Sequence, residues 1–479
     1  MKKVVLSALA ATIVSSALYA EAMTLFSDPK TGQVFTTAGE GRVEMGDFID
    51  AKSVDGALRD TESKSAEYQD KMDKYVAKDS KNWANKINLR GYMQFRNTQW
   101  IDGQQDMVRG TGAGKTGNQP FGGYWADAST RDNSAFLIRR ARMIFYGSAG
   151  DHLDVYVQPD FASTPAGAGN GHFGQLRDFY GDINIDKEKV HRVRIGQSKV
   201  PYGFENMQSS SNRLALDRND AFNSGTRDER DIGAFYYYTP VAIQDLFKEI
   251  NDLGLKHSGN YGMFALGAYN GQGANNFERN GNNHIVSRFT YPFKTESGQI
   301  FEFGVQGYAG KYVVNPTSTT FGAASGNTPT LGTAAATGIA DERIGITAIM
   351  YQQPFGIQAE WTWGKTPGAV NTTTNAVAEK NLNGGYIQTM YRLTNVLKEG
   401  DVLTPFVKWQ YFDGYSKAET NAPRNQVRDW EVGAEWQIAK EVELTGVIHN
   451  MDRTDLTRLN GYGDRFQGTA FRIQAQINY

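Results

Sequence analysis

The chain has 479 residues, with 50 Lys and Arg against 52 Asp and Glu, a formal net charge of -2 and no polybasic block, which argues against a nucleic-acid-binding surface. It contains no cysteine, so disulfide frameworks, thiolate nucleophiles and cysteine zinc sites are excluded. Aromatic residues make up 12%, glycines number 52 and prolines only 13, and apolar residues recur at every second position instead of in the long runs that a soluble core of this size would bury.

Met1 to Ala20 places Lys2 and Lys3 before an apolar stretch from Val4 to Ala17 and then small residues. This predicts a signal peptide cleaved after Ala20, or after Ala22, giving a signal segment over 1–22. The apolar run is shorter than the ~20 residues that a bilayer-spanning helix needs. No later stretch is long and apolar enough to span as a helix, so a membrane-embedded form of this chain must be a closed barrel.

Residues 23–86 are expected to form a separate periplasmic segment. Asp28-Pro29-Lys30-Thr31-Gly32 reads as a turn between two short strands. Val54 to Lys78 reads as a polar helix, with Val54, Thr61, Tyr68 and Tyr75 spaced by seven, and Leu58, Ser65 and Met72 likewise. Two readings stay open: a short coiled coil, or a solvated helix that is ordered only in part.

From Ile87 the period becomes two and stays so to Tyr479. Leu89, Gly91, Met93 and Phe95 alternate with Arg90, Tyr92, Gln94 and Arg96, and Ala141, Met143 and Phe145 with Arg140, Arg142 and Tyr146. A slip of one residue would push the charges into lipid, so the polar faces are assigned to a water-filled lumen. Strands are predicted at 88–100, 136–146, 152–161, 175–186, 190–200, 231–239, 261–271, 284–291, 299–311, 341–352, 355–363, 382–393, 401–412, 427–438, 442–452 and 467–479. The fold class is therefore all-β, a sixteen-stranded antiparallel transmembrane β-barrel over 87–479 with a partly helical N-terminal segment. The weakest stretch is Val241 to Asn260, where VAIQDLFKEI looks like a short helix. Tight connections alternate with long ones rich in Gly, Ser, Thr and Asn, the pattern of outer-membrane barrels with short turns in the periplasm.

The longest informative connection follows the strand that Pro201 must end. Between Val190 and Arg230 there are seven cations (Arg192, Arg194, Lys199, Arg213, Arg218, Arg227, Arg230) against five acids (Glu205, Asp217, Asp220, Asp228, Glu229). The stretch reads either as the narrow part of a pore, with arginines toward a permeating anion, or as a solvated surface loop. Arg109 to Thr116 imitates a phosphate loop, but the position six before Lys115 is Arg109 where that motif needs glycine. The six histidines show no metal-ligand spacing and Ser148 lacks a nucleophile-elbow pattern, so neither an enzyme, a metal nor a cofactor is expected.

Three stretches together resemble the phosphate-selective porin O and P family: Phe136-Leu-Ile-Arg-Arg-Ala-Arg142, Ile195-Gly-Gln-Ser-Lys-Val-Pro-Tyr-Gly-Phe-Glu205 and Arg227-Asp-Glu-Arg-Asp-Ile-Gly233. The resemblance implies a homotrimer of sixteen-stranded barrels in a Gram-negative outer membrane, in contact with its lipid and lipopolysaccharide, each barrel with a loop folded inward. It also implies an arginine ladder for anions. The positions that match are Arg90, Arg96, Arg140, Arg142, Arg192 and Arg194 on inward faces, Lys199 at the strand end, and Arg213, Arg218, Arg227 and Arg230 in the loop. A guanidinium suits that task because it stays charged and offers a planar fork of donors to an oxyanion. The family's lysine cluster is not matched, since Lys199 is the only lysine between Val190 and Gly233, and Asp154, Asp178 and Asp182 also face inward by the alternation. The expected function is passive diffusion of small hydrophilic solutes with a preference for anions such as phosphate. The alternatives are a weakly selective general porin, and a structural or adhesive envelope barrel tethered through its N-terminal helix.

Overall fold

The computed structural model describes residues 22–48, 63–74, 83–107, 135–162, 174–313, 337–371, 376–415, 424–455 and 464–479. The expected signal peptide, the Arg109 to Thr116 stretch and the Arg227 side chain lie outside the described residues. The chain divides into two units between Asn85 and Lys86.

In the first unit, strands β1 (Met23–Ser27), β2 (Val34–Phe35) and β3 (Val43–Phe48) form a small antiparallel sheet in the order β2-β1-β3. The turn after β1 forms because Asp28 accepts hydrogen bonds from the Lys30 amide and the Thr31 hydroxyl, both at 2.8 Å. Helix α1 (residues 63–74) is exposed along its whole length. The pairs Glu67–Lys71 and Asp70–Lys74 link successive turns along its surface.

The second unit is a closed antiparallel barrel. Its strands are β4 (Ile87–Met107), β5 (Ala135–Ser148), β6 (Leu153–Asp160), β7 (Gln175–Asn184), β8 (His191–Lys199), β9 (Arg230–Tyr238), β10 (Phe264–Tyr269), β11 (His284–Lys294), β12 (Ile300–Tyr312), β13 (Ile339–Met350), β14 (Phe355–Asn371), β15 (Ala376–Tyr391), β16 (Leu393–Thr394), β17 (Val402–Tyr415), β18 (Arg424–Ala439), β19 (Val442–Asp455) and β20 (Asp464–Asn478). The two-residue β16 continues β15 alongside β17, so the wall has sixteen strands, as the alternation predicts. It closes where β20 pairs with β4, from Asp464 opposite Met107 to Asn478 opposite Tyr92. No helix among the described residues is long and apolar enough to cross a membrane.

The period-two pattern is inverted relative to a soluble sheet. In β13, Asp341, Arg343 and Thr347 are buried in the lumen, while Ile344, Ile346 and Ala348 are exposed on the outer surface. Only a solvent as apolar as lipid makes that distribution favourable. Near the short-turn end, Tyr291, Phe293, Phe301 and Phe303 stack at 5.5 to 6.4 Å across β11 and β12, as an aromatic girdle at an interface does.

Two connections do not stay outside. Residues 200–229, the inward loop, enter the barrel between β8 and β9 and carry helices α2 (Phe204–Met207) and α3 (Asp220–Asn223). On the short-turn side, β9 and β10 are joined by residues 239–263 with helix α4 (Val241–Asp252), the helix expected in that uncertain stretch. Gly196 lies one strand-end before the inward loop with φ +127, and a Cβ there would come within 2.3 Å of the Phe179 carbonyl oxygen. Glycine in Ile195-Gly196-Gln197 is therefore a backbone requirement. Gly196→Ala is expected to cost about 1–3 kcal/mol, read as a lower temperature for loss of the folded, fast-migrating band in detergent gels; an unchanged transition would show that the strand tolerates the side chain.

Candidate functional site

The inward loop is fastened by charge. Once it covers the lumenal wall, the charges on that wall lose water and must find partners. Asp217 bridges Arg96 of β4 at 3.1 Å and Arg472 of β20 at 2.6 Å, and both guanidiniums are fully buried. Glu205 meets Lys408 of β17 at 2.5 Å. Glu360 of β14 accepts the Phe204 and Glu205 amides at the start of α2, at 2.5 and 2.9 Å. Arg343 of β13 donates to the Ala221 carbonyl at 2.8 Å and the Ser224 hydroxyl at 2.9 Å. Asp220 faces Arg453 of β19 at 3.2 Å.

At the loop's end Glu229 sits among Arg218 at 2.9 Å, Arg230 at 2.8 Å and Arg177 at 3.4 Å, and Arg230 also holds Asp178 of β7 at 2.8 Å. Apolar side chains also seat the loop: Tyr202 and Phe222 belong to a cluster with Phe235, Tyr237, Tyr269, Val286 and Tyr308 and with Leu382, Phe412 and Val427, and Leu214 to Leu216 pack with Met390, Phe406 and Val447.

The predicted arginines thus fall into two groups. Arg96, Arg142, Arg194, Arg218 and Arg230 are engaged by carboxylates, Arg142 with Asp160 and Arg194 with both oxygens of Asp182, each at 2.7 Å at the closest. Arg192 lies 3.8 Å from Asp182 and donates to the Asn260 carbonyl. Asp178 and Asp182, read as inward acids, are the counter-charges of this first group.

The second group meets no carboxylate within 4 Å among the described residues. Arg90 is exposed and lies 5.1 Å over the Tyr146 ring. Lys199 donates to the Met207 and Gln208 carbonyls at 2.7 Å. Buried Arg140 donates to Gln94 at 2.8 Å, and its Nε finds no partner. Buried Arg213 donates only to the Leu216 carbonyl at 3.2 Å, and its Nε and Nη1 are unpartnered.

Beneath the inward loop is a vestibule of about 570 Å³. Met207, Ser209, Ser211 and Asn212 roof it, and Leu255 to Tyr261 bound it on the short-turn side, apart from Lys256. Six cationic side chains line it (Arg90, Arg142, Arg194, Lys199, Arg230, Lys440) against two carboxylates (Asp178, Glu443). Asp160 and Asp182, which pair Arg142 and Arg194, are not among the lining residues. Burial pushes the His257 imidazole down to about 4, helped by Lys256 and Arg90, so near neutrality it adds no charge here.

Sequence reasoning singled out neither Arg177, Arg343, Lys408, Arg453 and Arg472, which fasten the loop, nor Lys440 at the vestibule. The signal was present for the strand residues, since each occupies an inward position of its alternating strand. Among the described residues no three potential ligands converge on a metal site.

A sixteen-stranded barrel with an apolar exterior, short turns at one end and a loop folded into its charged lumen defines an outer-membrane channel of the porin class, not an enzyme. Residues 119–479 match the family model of phosphate-selective porin O and P, and the chain belongs to that family. Solved structures with a similar fold include the outer-membrane channel DcaP of Acinetobacter baumannii (14% identity, 82% of this chain and 97% of that one, TM-score 0.45). Others are OmpF of Salmonella typhi in complex with daunomycin (14%, 83% and 99%, TM-score 0.46) and an anion-selective porin from Comamonas acidovorans (11%, 82% and 99%, TM-score 0.46). No curated protein matches the sequence.

Removing Asp217 leaves two desolvated guanidiniums without their shared carboxylate. Asp217→Ala is expected to destabilise the seated loop by about 3–5 kcal/mol and to expose Arg213 and Arg218 to trypsin. Wild-type resistance to cleavage in the variant would mean that the loop is held by its apolar contacts instead.

Proposed function

We propose that this outer-membrane channel conducts small hydrophilic solutes by passive diffusion and prefers anions, phosphate-like oxyanions among them. The observation that carries this reading is that three of the six cations lining the vestibule, Arg90, Lys199 and Lys440, meet no carboxylate among the described residues, whereas Arg142, Arg194 and Arg230 are paired. Arg213 and Arg140 support it, because each guanidinium meets no carboxylate within 4 Å among the described residues and so adds positive charge inside the barrel. Of the positions expected to line the pore, Arg90, Lys199, Arg140 and Arg213 contribute net charge in this reading, whereas Arg96, Arg218 and Arg230 hold the loop and Arg142 and Arg194 pair with Asp160 and Asp182 of the wall. Export by the N-terminal signal segment, which rests on the Lys2-Lys3 and apolar pattern of residues 1–22, belongs to the same proposal, as do assembly as a homotrimer and contact with outer-membrane lipid and lipopolysaccharide, which rest on the family resemblance.

The density of Arg–carboxylate pairs favours a second reading, a general porin in which the charges cancel. The reversal potential of the purified channel in a planar bilayer under a KCl gradient separates the two. Anion preference predicts a potential on the chloride side and a fall in chloride current when phosphate is added. Combining Arg90→Ala with Lys440→Ala is expected to move the potential toward zero, and Arg213→Ala to weaken phosphate block several-fold. A potential near zero in the wild type, with no block by phosphate, would assign the general porin.

A further inference from the structure

We infer that the connection between β9 and β10 is a strut across the lumen that closes one half of the pore, so that solutes cross the short-turn end only through the vestibule beside β4–β8 and β18–β20. A connection on the short-turn side of a barrel ordinarily remains a small solvated turn. This one runs from 239 to 263, and α4 buries Phe247 and Ile250. These side chains pack with Leu255 further along the same connection, with Phe204 of the inward loop, and with Ile300, Ile349 and Tyr351 at the ends of β12 and β13. Apolar side chains facing the lumen at β12 and β13 depart from the charged pattern of the wall, and the connection is what covers them.

The chain then passes inward. The Lys256 carbonyl accepts from Gln358 of β14 at 3.0 Å, and its buried ammonium reaches Glu435 of β18 at 2.5 Å. Around the barrel, β18 is separated from β10 by six strands on one side and eight on the other, so this ion pair lies nearly opposite the point where the connection began. The return leg is tied at each step. Asn212 of the inward loop donates to the His257 carbonyl at 3.0 Å, Arg192 to the Asn260 carbonyl, and Arg288 to the Gly262 carbonyl at 3.1 Å.

On the β11–β14 side of this crossing lie the apolar cluster and the buried side chains Thr347 and Gln358. On the other side lies the vestibule. The inward loop covers the same half from above and reaches further around the wall: the cluster of Tyr202 and Phe222 includes residues of β9 to β12 and of β15, β17 and β18, and Leu214 to Leu216 pack on Met390, Phe406 and Val447. Two independent segments therefore seal one half of the lumen and meet at Asn212 and His257. Lys256 is the positioning residue that pins the strut to the far wall.

The inference rests on the channel reading, and its test separates the two. The chain has no cysteine, so each single-cysteine variant carries one thiol. Arg90→Cys, Thr347→Cys and Gln358→Cys are treated with a cationic methanethiosulfonate from the short-turn side, with labelling followed by mass spectrometry and conductance in planar bilayers. The expected result is rapid labelling and loss of at least half the current at Arg90→Cys, with neither labelling nor current change at Thr347→Cys and Gln358→Cys. Neutralising the pin as a pair, Lys256→Met with Glu435→Gln, avoids a lone buried charge. It is expected to raise single-channel conductance and to make Gln358→Cys reactive, while the folded band in detergent gels is retained. Labelling of Gln358→Cys at the rate of Arg90→Cys with the pin intact would overturn the strut, and so would a folded pin variant with unchanged conductance and an unreactive Gln358→Cys. Absence of current in the wild type would refute the channel instead, and the labelling pattern would still report on the strut.

Discussion

The structure depends on charge compensation inside a closed wall. A barrel in lipid sends its polar side chains inward, and a loop folded into that interior strips them of water. Many of the desolvated cations then meet carboxylates, and the loop supplies several of them. Asp217 between Arg96 and Arg472, Glu205 beside Lys408, and Glu229 among Arg177, Arg218 and Arg230 all follow this rule. Removing one partner is far more costly than the pair is worth, which is why the seating is specific even where its net stabilisation is small.

From that constraint the working part of the lumen follows by subtraction. Charges used in fastening the loop offer little net field to a solute. What remains unbalanced lies along β4 and β5, at the end of β8, at the β18–β19 turn and at Arg213 of the loop. The β11–β14 side is packed: Phe222 from one segment and Phe247 from another rest on Val286, Ile300 and Ile349, and buried charges of that wall turn to partners within the protein, Arg288 to Glu302 and Arg343 to the Ala221 carbonyl. The channel proposed here is therefore asymmetric in cross-section, with conduction beside β4–β8 and packing against β11–β14.

Most of the architecture was legible in the alternation. Sixteen strands, their faces and the helix before β10 follow from period two and its interruptions. The site was legible only in outline. Pro201 and the acid- and arginine-rich stretch after it marked where the chain leaves the wall, yet nothing local distinguished Arg213, with unpartnered nitrogens, from Arg218, which is bound to Glu229. The wall residues Arg343, Lys408 and Arg472 were on inward faces by the same alternation, but their role depends on a loop that is distant in sequence.

What the sequence by itself determined is the sign of each face. A one-residue period is a local property, and lipid outside with water and charge inside leaves a single register for every strand. What only the tertiary structure decided is the pairing of charges and the side of the lumen that stays open. Those depend on contacts such as Arg96 with Asp217 and Lys256 with Glu435, separated by 121 and 179 residues, and a distance across a barrel is set by its closure and not by spacing along the chain.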